Sequence, residues 1–409
     1  MDKYGRLLAV LGVMIFFTNL AVYFSLSPIA SLPPLYFIVG FTVLASPVFC
    51  SRDSLANFRQ SSIVIWCYGF IFISAVWLVF QRVPSETAWQ GLRTRILSVF
   101  LILLLICVFR KPDAQLWARR GILVAVVIAI AINLYEVFNP MAFSIVQGRS
   151  AGLYYNPNQC GAALVLGMIF SVGILRDRYR LLFILIVGIA IFLTVSRGAI
   201  LGWFIASLFM VAQGQVNLRR SLLIGASVVA VILIGLASQW DRVQYQLMDI
   251  GVLNKDVSKR IESFVNPQEF ATDDSAAQRA AVFGGAWEMF ASNPVVGYGL
   301  GASREWEYEI SSHNQYLNLM VDHGALGFFV LPLIILASMW GAQGEARQVS
   351  FSFAAFIASW GFFSHNVLEE YYILLCFALL ASMSVTSRLP RVYPFQRSPI
   401  LVTQEPVIT

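Results

Sequence analysis

Charged residues are scarce in this sequence. Only 12% of its 409 residues are charged and 58% are hydrophobic, whereas a soluble domain carries about 25% charged residues. A water-soluble chain could not cover this much apolar surface, so the composition excludes a cytosolic enzyme. Because one bilayer span takes roughly 20 apolar residues, we expect a polytopic membrane protein.

Cysteine and histidine are also few, and neither forms a metal-binding pattern. The five cysteines include no Cys-x-x-Cys pair and lie in or at the ends of apolar runs, so we interpret them as small core residues. The outer loops hold no Asp-x-Asp or His-x-x-x-His spacing. We therefore predict no external disulfide, no metal site and no cofactor.

Twelve apolar runs follow one another along the chain, and all are too long for strands. They predict an all-α polytopic membrane protein with about 12 transmembrane helices and one long periplasmic loop that contains an amphipathic helix. The first nine helices are assigned to residues 1–240, the periplasmic loop to 241–312, the last three helices to 313–388 and a cytoplasmic tail to 389–409. The runs themselves lie near 7–25, 33–50, 62–80, 96–109, 121–138, 159–174, 181–195, 198–212, 221–240, 313–340, 349–365 and 370–387.

Basic residues fix the expected orientation. Seventeen lysines and arginines fall on the face that carries both termini, whereas the short loops of the other face hold only Arg82, Arg93, Arg95, Arg149 and Arg197. The positive-inside rule places the first face in the cytoplasm. The net charge of +6 therefore reports membrane topology, and no nucleic-acid partner is predicted. The first run is too long for a signal peptide and lacks a small-residue cleavage site, so we interpret it as an uncleaved anchor.

The long outer loop has two notable segments. Residues 275–292 predict a helix that ends before Asn293-Pro294. Its apolar face would rest on the bilayer interface and place Arg279 at the depth of the lipid headgroups; that face consists of Ala280, Phe283, Trp287 and Phe290. The glycines that follow, in Gly297-Tyr298-Gly299-Leu300-Gly301, indicate either a plain turn or a loop whose N–H groups approach a phosphate.

His313 is the candidate proton acceptor. It opens the tenth apolar run, and the partial positive charge of a helix N-terminus disfavours imidazolium, so a neutral imidazole is expected. The alternative is a plain helix cap. His323 is expected to pack or hydrogen-bond between helices, Asp322 is out of phase with His313, and His365 is expected to form a polar cap near the pair Glu369-Glu370.

Arginines on the outer face are candidate anion-binding residues. Arg197 lies in a tight turn where Ser196 can cap the next helix. A guanidinium beside a helix N-terminus predicts a bound anion, and the alternative is an arginine that binds a lipid phosphate. Arg149 adds a guanidinium in another outer loop, near the amide donors of 155–158.

These motifs together resemble the bacterial O-antigen ligase family, which shares its signature with O-antigen polymerases. The resemblance covers about residues 140–330, and the remaining spans match only in hydropathy. The motifs that carry it are Gly148-Arg149 with Pro157-Asn158, Ser196-Arg197-Gly198, Arg279…Trp287…Pro294…Gly297-x-Gly299-x-Gly301, and His313-Asn314…Leu317…Gly324-x-x-Gly327.

The resemblance implies a multi-pass glycosyltransferase of the bacterial inner membrane with its active site on the periplasmic face. Such a ligase moves O-antigen polysaccharide from undecaprenyl diphosphate to lipid A–core, by an inverting reaction that needs no metal. The resemblance makes His313 the general base and Arg197 and Arg279 diphosphate-binding residues, with Arg149 a less secure third.

Three alternatives remain open from the sequence. An O-antigen polymerase would use the same lipid-linked donor, and another enzyme of this kind would attach glycan to a protein. A lipid-linked sugar flippase or transporter should instead show internal repeats and polar residues lining several spans. The sequence shows neither feature, because its polar groups cluster at one face.

Overall fold

The computed structural model describes residues 2–26, 31–49, 60–80, 85–216, 274–305 and 312–388. Within these ranges all regular structure is helical. Fourteen α-helices are described: α1 (Asp2–Gly12), α2 (Leu20–Leu26), α3 (Pro34–Phe49), α4 (Ser62–Phe80), α5 (Glu86–Val108), α6 (Pro112–Phe138), α7 (Pro157–Ser171), α8 (Asp177–Leu193), α9 (Arg197–Ala212), α10 (Asp274–Ser292), α11 (Gln315–His323), α12 (Gly327–Met339), α13 (Gly344–Trp360) and α14 (Tyr371–Arg388).

Several of these helices are long and apolar enough to cross a bilayer, which confirms the expected membrane-helix character. In the described ranges six helical stretches meet this condition, and one of them joins α11 and α12. The stretch from Lys3 to Phe17 makes a seventh with α2 if their 43° bend lies within one span. The predicted count of about 12 is not reached by this measure and stays a prediction. The predicted run 221–240 and most of the predicted loop 241–312 lie outside the described residues.

Two helices begin nine or ten residues earlier than their apolar runs. Helix α5 starts at Glu86, ten residues before the expected limit, because the Ser85 side chain accepts a hydrogen bond from the Ala88 N–H and caps the first turn. Helix α6 starts at Pro112, which suits a first helical position. Arg95 and Arg119 therefore lie inside helices, and the assignment of Arg95 to an outer loop was wrong.

The arginine-rich loops gather at one end of the bundle, here called the basic end. Arg6 of α1 pairs with Asp113 at the start of α6. The Arg119 guanidinium pairs with Glu345 at the start of α13, 2.6 Å away, and Arg388 donates to the Gly341 carbonyl after α12. These contacts join the helix ends that the charge pattern assigns to one face.

The opposite helix ends also meet, and we call this region the site end. The Gln315 N–H at the start of α11 donates to the Gly361 carbonyl after α13, over 2.7 Å. Gln159 of α7 donates to Glu370, just before α14. These contacts join the starts of α7 and α11 to the segment between α13 and α14.

Helices α7 and α14 form the centre of the packing. Nearly every residue of both helices is buried, including side chains that a lipid-facing helix would expose. The ring of Phe353 in α13 contacts Phe170 of α7 and Phe377 of α14, with centroid distances of 5.8 and 5.0 Å. At the site end Gly161 lets α7 approach α9, since a Cβ there would lie 2.5 Å from Ala199. This core fixes the starts of α7, α9 and α14 relative to one another.

Candidate functional site

His313 lies just before α11 rather than opening it. The helix starts at Gln315, and the Asn314 side chain caps it by accepting a hydrogen bond from the Leu317 N–H. His313 has a positive φ of 50°, a conformation that side chains other than glycine adopt rarely. The tight turn directs the chain into α11 and leaves His313 at the site end, half-buried. Its neutral state stays a prediction.

His365 packs against His313. Their ring centroids are 5.3 Å apart and their planes are inclined by 68°. The segment that carries His365 is held by Gln315, whose side-chain oxygen accepts from the Val367 N–H at 2.8 Å. Burial is the main reason that the pKa of His365 falls to about 4, and electrostatic interactions with His313 and Arg304 add to it. His365 is therefore a neutral imidazole at physiological pH.

Two carboxylates follow His365 and face different partners. Glu369 forms an ion pair with Arg304, which comes from the turn Ala302–Arg304. Burial and the neighbouring Glu369 raise the pKa of Glu370 to about 8, although hydrogen bonds from Gln159 and Asn366 act in the opposite direction. The two adjacent carboxylates therefore have different surroundings: Glu369 is paired with a cation, and the raised pKa of Glu370 favours its protonated form near neutral pH.

The Arg197 turn packs against the same segment. Arg197 is the first residue of α9, and Ser196 occupies the cap position without making the side-chain hydrogen bond that we expected of it. A Cβ on Gly198 would lie 3.1 Å from Phe363 and Trp360. Arg197 therefore starts a helix that contacts residues 360–363, next to His365. The structure brings the Arg197 turn and the two histidines into one region.

Arg149 is buried and linked to its neighbours. Its Nε donates to the Thr194 carbonyl and its Nη2 to the Asn158 side chain, each over 2.9 Å. Its own loop is fixed by the buried carboxylate of Glu136, which accepts four backbone N–H bonds from Phe143, Ser144, Ala151 and Gly152. Arg149 therefore joins the start of α7 to the Arg197 turn, and its positive charge lies beside that turn. Two of its donor nitrogens are already used in hydrogen bonds within the protein.

Arg279 lies on α10, which confirms the predicted helix, but its side chain is outside the described residues. Helix α10 packs through Ala286 against Leu317 and Val321 of α11. Phe283 and Trp287 stay 46% and 49% exposed on the other side. Two aromatic residues of the expected face are thus exposed, whereas Phe290 packs against the cluster with α11. Contact of this face with lipid stays a prediction.

The glycine-rich segment after α10 is a packed turn. The Tyr298 and Gly299 N–H groups donate to the carbonyls of Val321 and Asp322 at the end of α11, at 2.9 and 3.1 Å. Gly297 has a φ of 73°, and a Cβ there would lie 2.5 Å from the Gly324 backbone nitrogen. The glycines allow the two backbones to approach closely. Because the Tyr298 and Gly299 N–H groups are hydrogen-bonded to backbone carbonyls, they are not available to bind a phosphate.

A buried ion pair lies beneath this turn. Arg95 of α5 donates to Asp322 at 3.0 Å, to the Nε2 of His323 at 2.6 Å and to the Ser74 hydroxyl at 3.0 Å. The His323 ring also contacts Trp77 edge-on. His323 therefore bonds between helices, as expected. The partner of Asp322 was missed because Arg95 had been assigned to a loop.

Three residues of the site end did not stand out in the sequence as functional candidates: Arg304, Gln159 and Glu370. Glu370 showed only as half of an acidic pair, and nothing in its spacing indicated a distant glutamine. Among the described residues no group of three His, Cys, Asp or Glu side chains is arranged to hold a metal ion.

The comparisons with known proteins point to one family. No curated protein matches the chain. Residues 181–332, a range that contains Arg197, Arg279 and His313, match the family model described as O-antigen ligase, and this match confirms the resemblance of the chain to the O-antigen ligase family.

Proposed function

We propose that this protein is an O-antigen ligase that moves polysaccharide from undecaprenyl diphosphate to lipid A–core at the periplasmic face of the inner membrane. The observation that carries the proposal is the convergence of His313, His365 and the Arg197 turn at one end of the helical bundle. The family match covers Arg197 and His313. An O-antigen polymerase, with a second lipid-linked glycan as acceptor, is equally consistent with the family match.

The reaction assigns one task to each kind of side chain. The acceptor hydroxyl oxygen attacks C1 of the donor sugar while the bond from C1 to the phosphate oxygen breaks. His313 takes the hydroxyl proton, and the diphosphate leaves with the bonding electron pair, which inverts the anomeric centre. General base catalysis of this kind contributes typically 10²–10⁴ in rate.

Arginines at the same end would stabilise the leaving group. Negative charge grows on the diphosphate as the C1–O bond breaks, and a guanidinium can bind it through two parallel hydrogen bonds. Arg197 is proposed for this task because its turn lies next to the histidine pair, and Arg279 because it lies on the helix that packs on α11. Arg149 supports the Arg197 turn and adds charge beside it.

The direct test is transfer by the purified protein. It should join glycan from a lipid-diphosphate donor to lipid A–core, with the product seen as a shift on a gel. Product formed only when a second lipid-linked glycan is supplied would make the protein a polymerase. Movement of the donor across vesicles without any new glycosidic bond would support a flippase and contradict both enzyme assignments.

Single substitutions separate the proposed roles. His313→Ala should abolish transfer and keep donor affinity, since the base touches only the acceptor. Arg197→Ala should weaken donor binding as well as turnover, because a charge-assisted hydrogen bond is worth roughly 1.5–3 kcal/mol. Arg347→Ala, which removes an exposed arginine at the basic end, is the matched control. A folded His313→Ala protein with normal transfer would refute this assignment of roles.

A further inference from the structure

We infer that Arg304 is a further phosphate-binding residue of this site, whose guanidinium exchanges Glu369 for the diphosphate of the donor. The inference rests on the proposed transfer reaction and adds a residue to it. Arg304 lies outside the motifs that carry the resemblance, and it is the ion pair with Glu369 that points to it.

The backbone that carries Arg304 is firmly held. The N–H of Ser303, the preceding residue, donates to the Asp322 carboxylate at 3.1 Å, and Asp322 is itself fixed by the buried Arg95. Two residues earlier, Gly301 has a φ of 85°, and a Cβ there would lie 3.1 Å from the backbone of Thr87 and Ala88 at the start of α5. The backbone of Arg304 is therefore fixed by its neighbours, which positions the residue before a ligand binds.

The position of Arg304 places it within reach of the reacting groups. Its partner Glu369 is four residues after His365, the ring of which packs on His313. Arg304 also lies close enough for its charge to lower the pKa of His365. An anion bound to Arg304 would therefore lie near the two imidazoles, where the leaving diphosphate is expected.

The ion pair is accessible, so a stronger anion can displace the carboxylate. The Arg304 and Glu369 side chains are 40% and 29% exposed, whereas those of Arg95 and Asp322 are 11% and 7% exposed. An exposed pair contributes only about 0–1 kcal/mol. A diphosphate carries more negative charge than a carboxylate and also accepts a bidentate guanidinium contact, so the exchange is favourable.

The test measures the affinity of the purified full-length protein for undecaprenyl diphosphate alone, together with the KM for the glycosylated donor. Arg304→Gln should weaken binding about ten- to hundredfold, as expected for loss of a charge-assisted contact. Arg304→Lys should bind with intermediate affinity, because lysine lacks the planar fork. Glu369→Gln should strengthen binding by up to about fivefold, since it removes the competing carboxylate. Arg347→Gln is the control and should bind like the wild type.

Two results would overturn the inference while leaving the proposed function intact. One is wild-type affinity in Arg304→Gln. The other is an equal loss of affinity in Arg304→Gln and Glu369→Gln, which would make the pair a structural link. Failure of the wild type to bind the isoprenoid diphosphate at all would overturn the proposed function as well.

Discussion

The buried pair of Arg95 and Asp322 offers the sharpest test of how this fold is held together. We predict that Asp322→Asn strongly destabilises the protein. Asparagine keeps the shape of the side chain but leaves the Arg95 guanidinium without its counter-ion among apolar helices. The Ser74 hydroxyl and the His323 ring stay within 3.0 and 2.6 Å of Arg95, and neither carries the negative charge that is lost.

The expected magnitude follows from burial. Removing one partner of a buried ion pair costs about 3–5 kcal/mol, because the remaining charge stays desolvated. The same substitution at Asp113 is the matched control, since its pair with Arg6 has both side chains 41% exposed. An exposed pair is worth only about 0–1 kcal/mol, so Asp113→Asn should change stability little.

The assay compares thermal unfolding of both variants and the wild type in one detergent, with the folded fraction read by gel filtration. A third variant, Arg95→Met with Asp322→Leu, removes both charges and should regain much of the lost stability, because similar apolar replacements of buried pairs are often neutral or better. Equal effects of Asp322→Asn and Asp113→Asn would refute the burial argument. A double variant as unstable as Asp322→Asn would show that the network is required for its hydrogen bonds rather than its charges.

Three further predictions concern pH, metal and topology. The pKa of Glu370 is raised from 4.5 to about 8, so between these pH values the folded state binds a proton that the unfolded state has lost. The stability of the protein should therefore fall as the pH rises from 5 to 9, and the melting temperature of Glu370→Gln should depend less on pH over this range. Transfer should continue in EDTA, and loss of activity that Mg²⁺ or Mn²⁺ restores would contradict this expectation. In a Cys50→Ser background, Ala291→Cys should react with an impermeant thiol reagent in intact spheroplasts and Gln343→Cys only after lysis; the reverse pattern would invert the predicted orientation.

The sequence predicted the helices well where apolar runs coincide with them, and less well at their polar ends. Helix α10 was expected over 275–292 and observed at Asp274–Ser292. Helix α5 was expected to start at 96 and begins at Glu86, because a hydropathy pattern cannot show that Arg95 has a buried partner. In a hydropathy pattern a charged residue marks the end of a span, but in the structure a charged residue with a buried counter-ion can lie within the helix.

The sequence pointed to some residues of the candidate site but not to their contacts. His313 and Arg197 stand out because ionisable residues are rare in the outer turns. Their convergence depends on residues 361–370, which contact α7, α9 and α11 through side chains and backbone far apart in sequence. No periodicity in one sequence reports such contacts, so the ring contact between His313 and His365 and the pairing of Arg304 with Glu369 required the fold.

The fold explains three of the five arginines that depart from the positive-inside pattern, and this explanation bears on function. The positive-inside rule concerns lysines and arginines in short loops between spans. Arg95 is neutralised by Asp322 within the bundle, and Arg149 donates to the Thr194 carbonyl and the Asn158 side chain, so neither is a free loop charge. Arg197 starts a helix at the site end, where a helix N-terminus adds its own partial positive charge. Two cationic features at one point on the arginine-poor face favour an anionic ligand there, which agrees with the proposed diphosphate donor.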